Sequence, residues 1–164
     1  MKKAAIILGS DSDLHIAEKT IGVFRKIGVE FEVNIISAHR TPEKAREFSM
    51  NARKNNFGVI IAIAGKSAAL AGVLAAHSRL PIIGVPVKGS DLGGLDALLS
   101  TVQMPPGVPV ACVAIDGGEN AAWLAGRILA VNDEALAAKL DDEASMMAEK
   151  VEQKNHDIHE KYSQ

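Results

Sequence analysis

Four short polar stretches hold nearly all the residues that could do chemistry: Gly9-Ser10-Asp11-Ser12-Asp13, Ser37-Ala38-His39-Arg40-Thr41-Pro42, Gly65-Lys66-Ser67 and Val87-Lys88-Gly89-Ser90-Asp91. His39 is the one histidine at the end of an apolar run, and an imidazole can both give and take a proton near neutral pH. The neighbouring Arg40 can grip a phosphate with its bidentate fork; the plainer alternative is a surface ion pair with Glu43. The hydroxyls and backbone N–H groups of Ser10 and Ser12, just ahead of a helix, could hold a phosphate, although taken alone the stretch reads better as ordinary helix capping. Asp13 is placed to accept hydrogen bonds. Gly65-Lys66-Ser67 could cradle an anion through the amides of the following helix, with Lys66 adding charge; the alternative is a glycine turn and a serine cap.

Each stretch follows an apolar run that reads as a buried strand: Lys3 to Leu8, Glu30 to Ile36, Val59 to Ala64 and Pro81 to Val85, with Val110 to Ile115 as a fifth. Between them the pattern predicts helices over 14–27, closed by Gly28, over 42–55 with Thr41 as cap and Pro42 at its first position, over 68–77, over 92–102 and over 119–131. A charged helix follows from Asp133 to about Asn155, with apolar Ala135, Leu136, Leu140, Ala144, Met147 and Val151, and the tail HDIHEKYSQ is expected to fray. That helix could pack on its own domain or on a neighbouring subunit. Strands alternating with helices imply an α/β three-layer sandwich, a flavodoxin-like doubly wound parallel sheet of order 2-1-3-4-5 with a C-terminal helical extension. The 164 residues suit one domain spanning 1–164, with 133–164 as the helical extension. In such a sheet ligands bind beyond the carboxyl ends of the strands, which brings the four polar stretches together.

Other readings are weakened by what the chain lacks. The formal charge of −2 gives no basic surplus for nucleic acid, and an aromatic content of 4% offers little base stacking. No apolar run reaches the ~18 residues of a membrane span, and the N-terminus has no signal-peptide pattern, so a cytoplasmic protein is expected. Cys112, the single cysteine, lies in the apolar run VACVAI and reads as a small buried hydrophobe. His15 and His77 fall in helices and His156 and His159 in the tail, where they read as structural or exposed, without metal-ligand spacing. One glycine in GSDSD is too few for G-x-G-x-x-G, and there is no G-x-S-x-G elbow. The residues alone therefore point to a small polar metabolite, phosphorylated, with His39 as acid and base.

The same stretches resemble the PurE family, N5-carboxyaminoimidazole ribonucleotide mutases of purine (IMP) biosynthesis. The matching blocks are GSDSD (9–13), SAHRTP (37–42), IAGKSAAL (63–70), PIIGVPV (81–87), GLDALLSTVQMP (94–105) and PVACVAI (109–115), which span nearly the whole chain up to the last helix. The resemblance implies an isomerase that moves a carboxylate from the exocyclic nitrogen to C4 of an aminoimidazole ribonucleotide, with no metal and no organic cofactor. It implies a homo-octamer whose C-terminal helices pack across subunits. It makes His39 the catalytic proton shuttle. It carries substrate contacts to Ser10, Asp13 and Arg40, with Ser12 and Ser37 beside them; Asp13 is assigned to the ribose hydroxyls and Arg40 to the phosphate. Gly65, Lys66 and Ser67 complete the expected substrate-binding set. One position departs: the family loop usually runs Ala-Ala-His-Leu, whereas here it reads Ser67-Ala68-Ala69-Leu70, closer to the related carboxylases that use free CO2. Three readings follow: a mutase, a CO2-dependent aminoimidazole ribonucleotide carboxylase, or a non-catalytic nucleotide-binding module on the same fold.

Overall fold

The computed structural model describes residues 1–89 and 91–163. Its five strands are β1 (Lys3–Leu8), β2 (Phe31–Ile35), β3 (Phe57–Gly65), β4 (Ile82–Val87) and β5 (Ala111–Cys112), and its six helices are α1 (Leu14–Ile27), α2 (Pro42–Asn51), α3 (Leu70–His77), α4 (Leu95–Val102), α5 (Gly118–Ala130) and α6 (Glu134–Tyr162). All strand pairs are parallel, and the order is β2-β1-β3-β4-β5, as the sequence rhythm predicts.

Why the central strands are apolar past the Lys3 that opens β1 follows from the layers. Side chains alternate across a strand, so a strand covered on both faces has no position where a polar group meets water. In β1, Ala4, Ile6 and Leu8 join a core with α1 and α5, while Ala5 and Ile7 join a second core with α2 and α3. Along β3, Val59, Ile61 and Ile63 face the first core and Ile60, Ala62 and Ala64 the second. The edge strand β2 has only one strand beside it, and its Val33 and Ile35 are exposed. On β4, Gly84 lies so close to α4 that a Cβ there would stand 2.3 Å from Thr101 Cγ2. The glycine is what lets α4 settle on the sheet.

α1 buries Ile16, Ala17, Thr20, Val23, Phe24 and Ile27, and ends as expected at Gly28, whose left-handed φ of 74° and N–H to Phe24 O form the cap. Several predicted boundaries shift. α2 stops at Asn51 rather than Asn55, and its Thr41 makes no side-chain cap bond. The Thr41 hydroxyl instead donates to Ser37 O (2.9 Å) and accepts from Ser37 N (3.1 Å), closing the preceding loop. α3 begins at Leu70 rather than Ala68, and α4 at Leu95 rather than Leu92. β4 runs two residues past Val85, to Val87. β5 is two residues, not six, because the chain turns after Val113 and Asp116 N donates to Pro86 O (2.9 Å). Cys112 is half-buried rather than fully so, and burial pushes its thiol up, keeping it protonated.

The largest correction concerns the tail. Helix α6 continues to Tyr162 rather than fraying after Asn155. No glycine or proline interrupts 134–162, and i, i+4 pairs support the last turns: Gln153 Nε2 donates to Asp157 Oδ1 (2.8 Å) and His156 meets Glu160 (3.3 Å). Asp133 starts the helix, its Oδ1 accepting from Leu136 N at 3.0 Å. Near its start α6 packs on α5 and α1 through buried Leu136 and half-buried Leu140. A further tie is the ion pair between Lys26 of α1 and the buried Glu143. Beyond Glu143, 144–163 lie exposed, including Met146, Met147, Val151 and Ile158. No described helix is long and apolar enough to cross a membrane.

Candidate active site

The carboxyl ends of β1, β2, β3 and β4 open onto one cleft of about 720 Å³. All nine residues singled out from the sequence line it: Ser10, Ser12, Asp13, Ser37, His39, Arg40, Gly65, Lys66 and Ser67. Of the fourth polar stretch, Val87, Lys88 and Gly89 line it too, while Ser90 lies outside the described residues.

After β1, Gly9 N still donates to Ile63 O (2.9 Å), and then residues Asp11–Asp13 form a single 3-10 turn. Ser10 begins that turn, its Oγ accepting from Ser12 N and donating to Asp11 Oδ1 (3.1 Å). Ser12 Oγ donates to Asp13 Oδ1 at 3.2 Å. Asp13 is buried, and that loss of water raises its pKa above the usual aspartate value; the Ser12 hydrogen bond and the nearby His15 work against the rise. A carboxylate in such a place is held ready to accept hydroxyl donors in exchange for lost water.

After β2, Ile36 is pinned by its N–H to Leu8 O (2.9 Å) and by burial, and the chain then enters a turn over Ala38–Arg40. Thr41 N donates to Ser37 O (2.8 Å), the Thr41 hydroxyl adds its two bonds to the same residue, and Arg40 N donates to Ser37 Oγ (3.2 Å). Ser37 is therefore the anchor of the turn. His39 and Arg40 project from it with exposed side chains, and among the described residues Arg40 makes no ion pair with Glu43.

The third loop differs from its expected form. Lys66 adopts a left-handed φ of 53°, unusual for a residue with a Cβ. The amides of Ala68 and Ala69 donate back to Lys66 O (2.8 Å) and Ser67 O (2.7 Å), so they do not supply the expected anion cradle. Any such cradle begins at Leu70, the first residue of α3. Ala69 occupies the cap position of α3 and lines the cleft.

Two contributors were not legible as site residues. His15, in the first turn of α1, lines the cleft, although its helical position marked it as structural. The missed signal is its place two residues after Asp13, since the first turn of a helix that follows a strand stays at the strand's carboxyl end. Asp116 acts from behind the cleft: its Oδ1 accepts from Lys88 N (2.8 Å), and with Asp116 N on Pro86 O it fixes where the chain leaves β4. Asp116 has a left-handed φ of 58°, a conformation that aspartate tolerates in turns. Among the described residues that line the cleft, Arg40, Lys66 and Lys88 stand against one carboxylate, that of Asp13, a balance that suits an anionic ligand.

Comparison with known proteins agrees with this architecture. The chain is 55% identical over 146 residues, 89% of its length and 90% of the relative's, to a protein of Methanocaldococcus jannaschii named N5-carboxyaminoimidazole ribonucleotide mutase. It is 51% identical over 136 residues to the Saccharomyces cerevisiae phosphoribosylaminoimidazole carboxylase, covering 83% of this chain but 24% of that longer protein. Among solved structures, Treponema denticola PurE superposes with a TM-score of 0.85 at 28% identity, covering 98% of each chain. The family profile described as AIR carboxylase matches residues 3–150, and the chain belongs to that family.

Proposed function

We propose that the protein is an N5-carboxyaminoimidazole ribonucleotide mutase, an isomerase of de novo purine synthesis that works without metal or organic cofactor. The observation that carries the reading is the convergence of His39, Asp13 and Arg40 on one cation-rich cleft at the carboxyl ends of the strands. The names of relatives at 45–55% identity support it.

In the proposed reaction the substrate's N–CO2⁻ bond breaks and releases CO2 within the cleft, while His39 delivers a proton to the nitrogen. C4 of the resulting aminoimidazole then attacks the CO2, and His39 takes the proton that C4 loses. One proton is given and one recovered, so the shuttle ends as it began. Asp13 accepts from the ribose hydroxyls and Arg40 holds the phosphate, with Ser10, Ser12, Ser37 and the Gly65-Lys66-Ser67 turn as further contacts. The CO2 must not escape between the two steps, which requires a closed site. In the single chain His39 and Arg40 are exposed. This supports a homo-octamer in which neighbouring copies cover the cleft, as do the apolar residues left open on α4 (Leu95, Leu99, Val102) and α6 (Met147, Val151). The chain acts as one domain in the cytoplasm.

Ala69 and the yeast carboxylase relative favour a second reading, direct use of free CO2. Two assays divide the readings. Conversion of N5-carboxyaminoimidazole ribonucleotide at low CO2 is the expected outcome. Turnover only of aminoimidazole ribonucleotide with bicarbonate would replace the mutase by the carboxylase. Binding without turnover of either would leave a nucleotide-binding module.

A further inference from the structure

We propose that Asp116 is a positioning residue for ligand binding: its carboxylate sets the cleft wall built by Lys88 and Gly89, an inference that rests on the ribonucleotide reading above. β4 is buried along its whole length, and Lys88 is the first residue to emerge from it. At that point the sheet no longer holds the chain. The ladder to β3 ends at Val87 and the ladder to β5 at Gly84. Asp116 continues the second ladder by other means. Its N–H donates to Pro86 O (2.9 Å), as that of a strand residue would. In a parallel ladder the carbonyl of the same residue then accepts from the amide two positions on, here Lys88 N. The Asp116 carbonyl is taken instead by Gly118 N (2.9 Å), in the turn that leads into α5. Oδ1 accepts from Lys88 N in its place, at 2.8 Å. The side chain thus supplies the rung that the backbone cannot.

The start of α4 meets the same point. A Cβ at Gly94 would stand 2.8 Å from Ile115 Cγ2 and 3.1 Å from Lys88 Cα, so Lys88 lies between the Asp116 carboxylate and the backbone of Gly94. The left-handed backbone of Asp116 costs free energy for a residue with a Cβ, and such conformations gather at functional sites. Asp116 is half-buried and does not line the cleft, so it acts on a ligand only through the wall it holds. Without the carboxylate, Lys88 N turns to water and the wall samples positions other than the one that binds. Apparent affinity then falls with the fraction of molecules whose wall is in place.

Two substitutions separate the carboxylate from the backbone. Asp116→Gly keeps the left-handed φ and both backbone bonds and removes only the acceptor, whereas Asp116→Asn keeps an acceptor in the same place. On the full-length protein, calorimetry gives the dissociation constant of aminoimidazole ribonucleotide, and steady-state assays give kcat and KM for N5-carboxyaminoimidazole ribonucleotide. Asp116→Gly should weaken ribonucleotide binding about tenfold, the size of a hydrogen bond to a charged acceptor, and raise KM while kcat stays within about twofold. Asp116→Asn should recover most of that loss. A merely structural brace would cost the same whatever stands at position 88, so both changes are also made in a Lys88→Met background. Lys88→Met should weaken binding by itself, and adding Asp116→Gly to it should cost less than about threefold more. Losses that simply add, a lower kcat at unchanged KM, wild-type affinity in Lys88→Met, or no recovery in a folded asparagine variant would each overturn the proposal. If Asp116→Gly does not fold, Asp116→Ala takes its place in the same cycle, where the backbone strain it adds is common to both backgrounds and cancels. If the wild type fails to bind the ribonucleotide, the functional reading falls, and this inference with it; if the wild type binds and Asp116→Gly matches it, only this inference falls.

Discussion

His39 and Arg40 sit on the same turn, anchored by Ser37, yet their proposed tasks separate cleanly in kinetics. His39→Asn removes the proton shuttle and should abolish turnover while ribonucleotide binding stays measurable. Arg40→Ala removes a grip on a group that does not react, so it should weaken binding by about tenfold or more and lower kcat far less. Near-normal turnover by the asparagine variant would take His39 out of the mechanism. Asp13 makes a different prediction, because its raised pKa is a stability statement. A folded chain that holds the proton more tightly than the unfolded chain loses stability as pH rises from the ordinary aspartate value of 3.8 through the raised one, and stays at the lower level above it. Asp13→Asn should therefore raise the melting temperature at neutral pH, with the gain vanishing below pH 3.8, while weakening ribonucleotide binding. A lower melting temperature at neutral pH would sink the claim that burial dominates at this carboxylate. His39 was legible in the sequence because an apolar run stops just before it. The left-handed φ of Lys66 was not, since lysine rarely adopts that backbone, whereas Asp116 ahead of Gly117 carried a turn signal.

Among the elements, α6 shows how ion-pair geometry turns into unequal mutational effects. Glu143 is buried, whereas the Lys26 side chain that meets it is 45% exposed and lies near the Trp123 ring. Lys26→Ala strands a carboxylate without its partner and should cost about 3 kcal/mol. Glu143→Ala leaves a lysine that can turn to water and should cost about 1 kcal/mol. Denaturant midpoints of the two variants would show the asymmetry, and equal losses would remove it. The start of α6 was readable from Asp133, a residue type that favours caps. Its end was not, because a charged run without an apolar partner looks the same whether it is a frayed tail or a helix held by i, i+4 pairs. The short β5 escaped prediction for a related reason. Val110 to Ile115 has the composition of a strand, but its length is set by Asp116 turning back to β4.

For the whole molecule, strand order was the most legible property, because short parallel strands joined by helices allow few right-handed arrangements. The same rule placed the four polar stretches at one end of the sheet, and the chemistry followed from their convergence. How closely α4 lies on Gly84 is a matter of tertiary packing that one glycine in an apolar run does not disclose. The cleft's cation surplus has a kinetic consequence. The chain as a whole is formally −2, so the rest of its surface carries the negative excess and Arg40, Lys66 and Lys88 form a local positive well. Such a field draws a multiply charged anion inward from about a Debye length away, ~10 Å at 0.1 M salt. The ribonucleotide's association rate constant should fall steeply between low and physiological salt while its dissociation rate hardly changes. Stopped-flow binding over a salt series would reveal this, and a flat association rate would show that the ligand finds the cleft by unguided diffusion.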